Sequence, residues 1–259
     1  MGSFPQSIVH YLPVTDHDER WGIVCTTAGY QNVPPGSPYP LTQHPDSYSF
    51  TRSRGRVLGE YQLLYIVSGQ GEFRSASSPA APVKAGTVVM LFPDEWHTYA
   101  PDPETGWEEW WVGFRGENID RRVAEGFFSP KTPLLHIGHS AGIVSCYQEI
   151  IRSAEEERKG FQQLVTGIVL HLLGSVLFKR DNLQYLDNPI VEKINRAREM
   201  MRRHIGDNLP PEEIARRLNI GYTWFRRTFR AYVGIAPAQY QLQLRHNKAR
   251  ELLTTTDRT

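Results

Sequence analysis

The sequence predicts an α+β protein in two parts: an N-terminal β-barrel or jelly roll with a helical segment at its end, then an all-α C-terminal domain. Three observations carry this. Up to about Gly116 the apolar runs are short and separated by Gly, Pro and polar turn residues. From about Ala141 the apolar period changes from two to 3.6. The charge divides as well, because residues 188–259 hold 14 Lys and Arg against 7 Asp and Glu, whereas residues 1–187 hold 15 against 21.

A chain of 259 residues that is 40% hydrophobic can bury a sizeable core, and its length favours two modest domains. In the β part, YQLLYIVSGQGEFRS (residues 61–75) reads as a strand from Tyr61 to Val67, a turn over Ser68–Gly71 and a return strand; GTVVMLFP and WEEWWVGFRG are further strands. Ile143, Cys146, Tyr147, Ile150 and Ala154 share one face of a first helix. Phe161, Leu164, Val165, Ile168, Leu172 and Val176 mark a second, with Gly160 at the break. This second helix is apolar nearly all round, so it either packs on the barrel or forms a dimer interface. His171 within it reads as a core histidine.

KRDNLQYLDNP (residues 179–189) reads as the interdomain linker, giving a division into residues 1–140, 141–180, 181–189 and 190–259. Helices are expected at about Ile190–His204, Pro211–Leu218, Tyr222–Tyr232 and Pro237–Leu253. No stretch shows eighteen consecutive apolar residues and MGSFPQ lacks a signal-peptide plan, so no membrane partner is expected and the address is the cytoplasm. Cys25 and Cys146 are isolated and read as core residues.

In LPPEEIARRLNIGYTWFRRTFRAYVG (residues 209–234), Pro210 and Pro211 suit a helix start. Glu212 and Glu213 complement its dipole, and Asn219 stands where a tight turn needs positive φ. Phe225 and Phe229, four apart, point inward, leaving Thr223, Arg226, Arg227 and Arg230 toward solvent. That is a helix-turn-helix plan whose exposed arginines suit double-stranded DNA, by bidentate bonds to guanine and contacts to phosphate. An ordinary basic helical hairpin is the competing reading.

With the later run YQLQLRHNKARELL, this stretch resembles the DNA-binding domain of AraC-type transcriptional regulators, through Tyr240, Leu244, Arg245, Ala249, Arg250, Leu252 and Leu253. By position the resemblance puts Thr223, Arg226 and Arg227 at bases and Arg230 at the backbone, with Gly221 where the family more often has a Ser cap. It also implies a second helix-turn-helix after Thr254–Thr259, hence a truncated reading surface and weak, salt-sensitive DNA binding. Residues 20–116 resemble the family's cupin-like effector domain, which implies a homodimer and a small-molecule effector. The family's arabinose sensor is similar at Arg54, His97, Tyr99 and Trp111, so these four are the expected effector residues and a carbohydrate the expected ligand.

Strand alternation groups Tyr61, Leu63 and Tyr65 on one face, His97 with Tyr99 on another, and Trp107, Glu109 and Trp111 on a third, all suited to stacking and bonding a sugar. Trp110 points the opposite way and reads as structural; Trp107 could be either. The alternative is a cupin enzyme. Against it, YQLLYIVSG lacks the HxH pair of metal-dependent cupins and His97 has no companion ligands, so no metal, cofactor or catalytic residue is expected.

Overall fold

A computed structural model describes residues 7–39, 51, 53–185, 188–207 and 209–255. The chain forms two compact units, one reaching to Leu183 and the other beginning at Gln184. The fold class is α+β, with a jelly-roll β-domain and a helical C-terminal unit.

The first unit contains β1 (Ser7–Tyr11), α1 (Asp16–Glu19), β2 (Val24–Val33), β3 (Tyr61–Ser75), β4 (Ala81–Lys84), β5 (Thr87–Leu91), β6 (His97–Pro101), β7 (Trp107–Arg115), α2 (Glu117–Ala124), β8 (Leu134–His136), α3 (Ala141–Glu156) and α4 (Phe161–Asn182). The sheet order is β1-β2-β7-β3-β5-β8, with β4 and β6 also paired to β3, and every pairing is antiparallel.

β3 corrects the hairpin expected over residues 61–75. It is one 15-residue strand with a register irregularity between Ile66 and Ser68 against β7; its first half pairs β5 and β7, its second half β4 and β6. The glycines here serve close approach rather than reversal: a Cβ on Gly69 would strike the Gly106 carbonyl, and one on Gly71 the Ala100 carbonyl and Trp107.

The bent sheet has two buried faces. Tyr61, Leu63 and Tyr65 of β3, with Trp110, Val112 and Phe114 of β7, pack against α3 and α4 through Ile143, Tyr147, Ile150, Val165, Val169 and Leu172. Leu64 and Ile66, with Trp107, Trp111, Phe73 and Tyr99, form the core of the barrel interior. The expectation that Tyr61, Leu63 and Tyr65 line the pocket is therefore corrected. The Tyr65 hydroxyl donates to the Gly138 carbonyl (2.8 Å) and accepts from the Ser140 N–H, and Tyr61 donates to Asp120, so both anchor the following helices.

α4 also departs from expectation. Over Phe161–Tyr185 it is long and apolar enough to cross a membrane by length and composition, with a mean hydropathy of 1.6. In this fold Val165, Val169, Leu172 and Val176 are fully buried against β2 and α3, while Leu164 (52%) and Phe178 (67%) stay exposed; His171 is exposed as well, which corrects its expected place in the core. The polar residues 179–182 do not end the helix, since Lys179 and Arg180 sit favourably in its last turn. A 3₁₀ turn follows at Leu183–Tyr185, and residues 186 and 187 of the expected linker lie outside the described ones.

The second unit contains α5 (Pro189–Arg203), α6 (Pro211–Arg217), α7 (Tyr222–Val233) and α8 (Pro237–Thr255). Ile190, Ile194, Ala197, Met201, Ile214, Ala215, Phe225 and Phe229 form its core, with Tyr240 and Leu244 of α8 packed against it. Asn219, at φ 53°, makes the turn between α6 and α7.

Candidate functional site

The polar content of the barrel interior centres on Arg56. Its Nε–H donates to His97 Nε2 (3.2 Å) and its Nη2 to the Tyr99 hydroxyl (2.6 Å) and to Gln62 Oε1 (3.5 Å). His97 therefore carries its proton on Nδ1, which donates to the Glu95 carbonyl at 3.0 Å. Burial, reinforced by Arg56, pushes the imidazole down to about 4, so it is neutral at physiological pH. The His97 and Tyr99 rings stack with centroids 6.2 Å apart, as their i,i+2 spacing on β6 requires.

Across the interior, β7 presents Trp107, Glu109 and Trp111. Trp111 fits because β2 has Gly29 opposite it; a Cβ there would run into the indole. Glu109 is 3% exposed and accepts from the Tyr39 hydroxyl at 3.1 Å. Burial raises its carboxyl to about 7, against the lowering effects of the Tyr39 bond, the Arg56 charge and the nearby Trp107 indole. The Trp107 N–H lies near enough to favour the carboxylate but outside hydrogen-bond geometry, so it counts as an unbonded donor. Tyr39 reaches in over Tyr99 and Trp107, with ring centroids 6.1 and 5.8 Å away.

Three of the four expected effector residues thus meet in the interior: His97, Tyr99 and Trp111. Arg54 does not. It is exposed in a turn where its N–H bonds Thr51 and its carbonyl accepts from Trp96, while the interior guanidinium belongs to Arg56. Arg54 lies in the turn, which closes with the Gly55 N–H on the Thr51 carbonyl and Gly55 at φ 62°, and only then does Arg56 bridge to His97 through a pair of backbone hydrogen bonds. Sequence reading missed Tyr39 and Gln62 as interior groups. Trp110 faces the helices beside Tyr30 and Tyr147, as expected.

On the helical unit, Thr223, Arg226, Arg227 and Arg230 are exposed along one face of α7, opposite the fully buried Phe225 and Phe229. Among the described residues none of these three arginines forms an ion pair. Arg216 and Arg217 of α6, by contrast, both bond Glu213. Gly221 supplies no side-chain cap to α7.

A buried, aromatic-walled polar cluster in a jelly roll, followed in sequence by a helical unit with an uncompensated arginine face, defines a ligand-binding regulator class. Residues 35–173 match the family model of the AraC-like ligand binding domain, and the chain belongs to that family of AraC-type regulators. It is 22% identical over 200 residues to the Msm operon regulatory protein of Streptococcus mutans, covering 76% of this chain and 71% of that one. It is 25% identical over 203 residues to the MmsAB operon regulatory protein of Pseudomonas aeruginosa (77% and 64%). It is 21% identical over 221 residues to the raffinose operon transcriptional regulatory protein RafR of Pediococcus pentosaceus (81% and 76%). These relatives are regulators, not enzymes.

Proposed function

We propose that this protein is a cytoplasmic, sugar-responsive transcription factor that holds its effector in the β-domain interior and binds double-stranded DNA through α7. The observation that carries the reading is the convergence of Arg56, His97 and Tyr99 beside Trp107 and Trp111. Fixed donors and acceptors orient hydroxyls while indole faces cover the apolar face of a sugar ring. One relative's name ties it to a raffinose operon, which is consistent with a carbohydrate ligand.

Thr223, Arg226, Arg227 and Arg230 follow i, i+3, i+4, i+7 spacing, so they enter a major groove together. Arg226, Arg227 and Arg230, which form no ion pair among the described residues, have no such pair there to break before meeting guanine or phosphate. Leu164, His171 and Phe178 recur every seven residues on the open side of α4, and the small Gly167 and Gly174 between them leave holes for the knobs of an antiparallel second copy. A homodimer through this face would pair two α7 helices on spaced half-sites. Effector binding would regulate by its differential affinity for two arrangements of the dimer.

A thermal-shift screen of mono- and oligosaccharides, followed by operator binding with and without the hits, tests this reading. A saturable stabilisation that also changes operator affinity is expected. A panel that moves neither quantity would sink the sugar version.

A further inference from the structure

One side of the barrel interior carries buried polar groups that do not bond to Arg56. Gln31 of β2 stands directly opposite Glu109 of β7, between the Gly29–Trp111 and Val33–Trp107 pairs. Val33, Trp107 and Trp111 belong to the interior core, whereas Tyr30 and Trp110 belong to the core on the helix side. Strand alternation therefore directs Gln31 and Glu109 inward together. Gln31 is 1% exposed and Trp107 2%. Both Gln31 Nε2 and Trp107 Nε1 are buried without a hydrogen-bond partner among the described residues. Buried donors are rarely left unbonded, and two of them flanking one buried carboxyl mark where a ligand's acceptors belong.

We propose that Gln31, Trp107 and Glu109 form a second hydroxyl-binding corner of the effector pocket, which selects an uncharged polyhydroxylated ring over its acidic counterparts. This rests on the effector-pocket reading and deepens it. A hydroxyl is both donor and acceptor, so adjacent hydroxyls of one ring can receive from Gln31 and Trp107 and give to Glu109. A carboxylate or phosphate can only accept and would meet the Glu109 charge. Arg56 keeps its positive charge, since Tyr99, His97 and Gln62 are neutral partners, but its Nε and Nη2 hydrogens are committed to them, so an acid at this corner gains no hydrogen bond from those atoms.

The groups facing Glu109 are Gln31 from β2, Trp107 from β7, Tyr39, Arg56 and Tyr99. The two phenols are raised above their ordinary value by burial and stay neutral near pH 7. Glu109, itself near 7, is then the one of these groups that changes charge between about pH 6 and about pH 8. Affinity for a hydroxylated ligand should rise across that interval as the stronger acceptor forms.

Isothermal titration of the full chain with D-galactose, D-glucose and raffinose, and with galacturonate, glucuronate and hexose 6-phosphates, tests the corner. At least one neutral sugar should bind about tenfold or more tightly than its acidic counterpart. Gln31→Leu should weaken that binding about tenfold without lowering Tm, since it deletes a donor the free protein does not use. Glu109→Gln should flatten the pH dependence of affinity. Preference for the acids, or Gln31→Leu binding at full strength, overturns the corner while leaving the pocket in place. If neither sugar series binds, the carbohydrate reading itself falls and the corner falls with it.

Discussion

Glu109 and His97 sit in one barrel interior and titrate in opposite senses, so substituting either should expose the other in the pH dependence of stability. Burial, opposed by Tyr39, Arg56 and Trp107, raises the Glu109 carboxyl from 4.5 to about 7. The folded protein then holds this proton more tightly than the unfolded chain, and stability falls as pH rises from 4.5 to about 7. Burial, reinforced by Arg56, lowers His97 from 6.5 to about 4. Here the unfolded chain takes up the proton first, so stability is complete above 6.5 and is lost as pH falls toward 4. Each gap is worth about 3 kcal/mol at roughly 1.4 kcal/mol per pH unit, and where the two windows overlap the slopes oppose each other. Urea unfolding of the β-domain, followed by tryptophan fluorescence at a series of pH values across that overlap, reads this directly. Relative to the wild type, Glu109→Gln should gain about 3 kcal/mol on going up through the window and His97→Gln should lose about as much. Constant offsets from lost hydrogen bonds leave these slopes untouched. Two variants whose pH profiles run parallel to the wild type would show that neither group is perturbed as described.

Three further outcomes follow from named contacts. Gly29→Ala puts a methyl into the Trp111 indole, and should cost about 1–3 kcal/mol by overpacking and abolish effector binding, measurable by thermal melt and titration. Gly221→Ser restores a hydroxyl cap to α7 at φ −65°, ψ 134°, with open space around the new Cβ; a gain of about 0.5 kcal/mol in chemical denaturation is expected, and a loss would count against the cap geometry. Leu164→Glu with Phe178→Glu should turn a dimer into a monomer in analytical ultracentrifugation without lowering Tm, because both side chains are more than half exposed in the single chain; a dimer that persists would place the interface elsewhere.

The helical unit was legible almost to the residue. Pro211, Asn219, Phe225 and Phe229 each have a local reason for their position, and local reasons are what a sequence displays. The barrel was legible in composition but not in the facing of its strands. YQLLYIVSGQGEFRS alternates correctly, yet alternation alone does not say which face meets helices and which meets the interior; that depends on α3 and α4 arriving some eighty residues later. Ser68–Gly71 looked like a turn because glycine serves reversals and close strand approach alike, and only the neighbours Gly106 and Ala100 decide between them. Arg54 and Arg56 show the same limit at the site, since the turn that holds Arg54 outside and the bridge that brings Arg56 to His97 and Tyr99 depend on contacts with residues some forty positions away. Tyr39 carries no periodic signal at all, and its contact with Glu109 spans 70 residues.

The account stands most directly on Arg56 as the guanidinium of an effector pocket. Calorimetric titration of a sugar found in the thermal-shift screen into Arg56→Ala and Arg54→Ala, beside the wild type, tests it. Saturable binding that survives in Arg54→Ala and disappears in Arg56→Ala, with both variants folded by circular dichroism, is the predicted result; full binding by Arg56→Ala would contradict it.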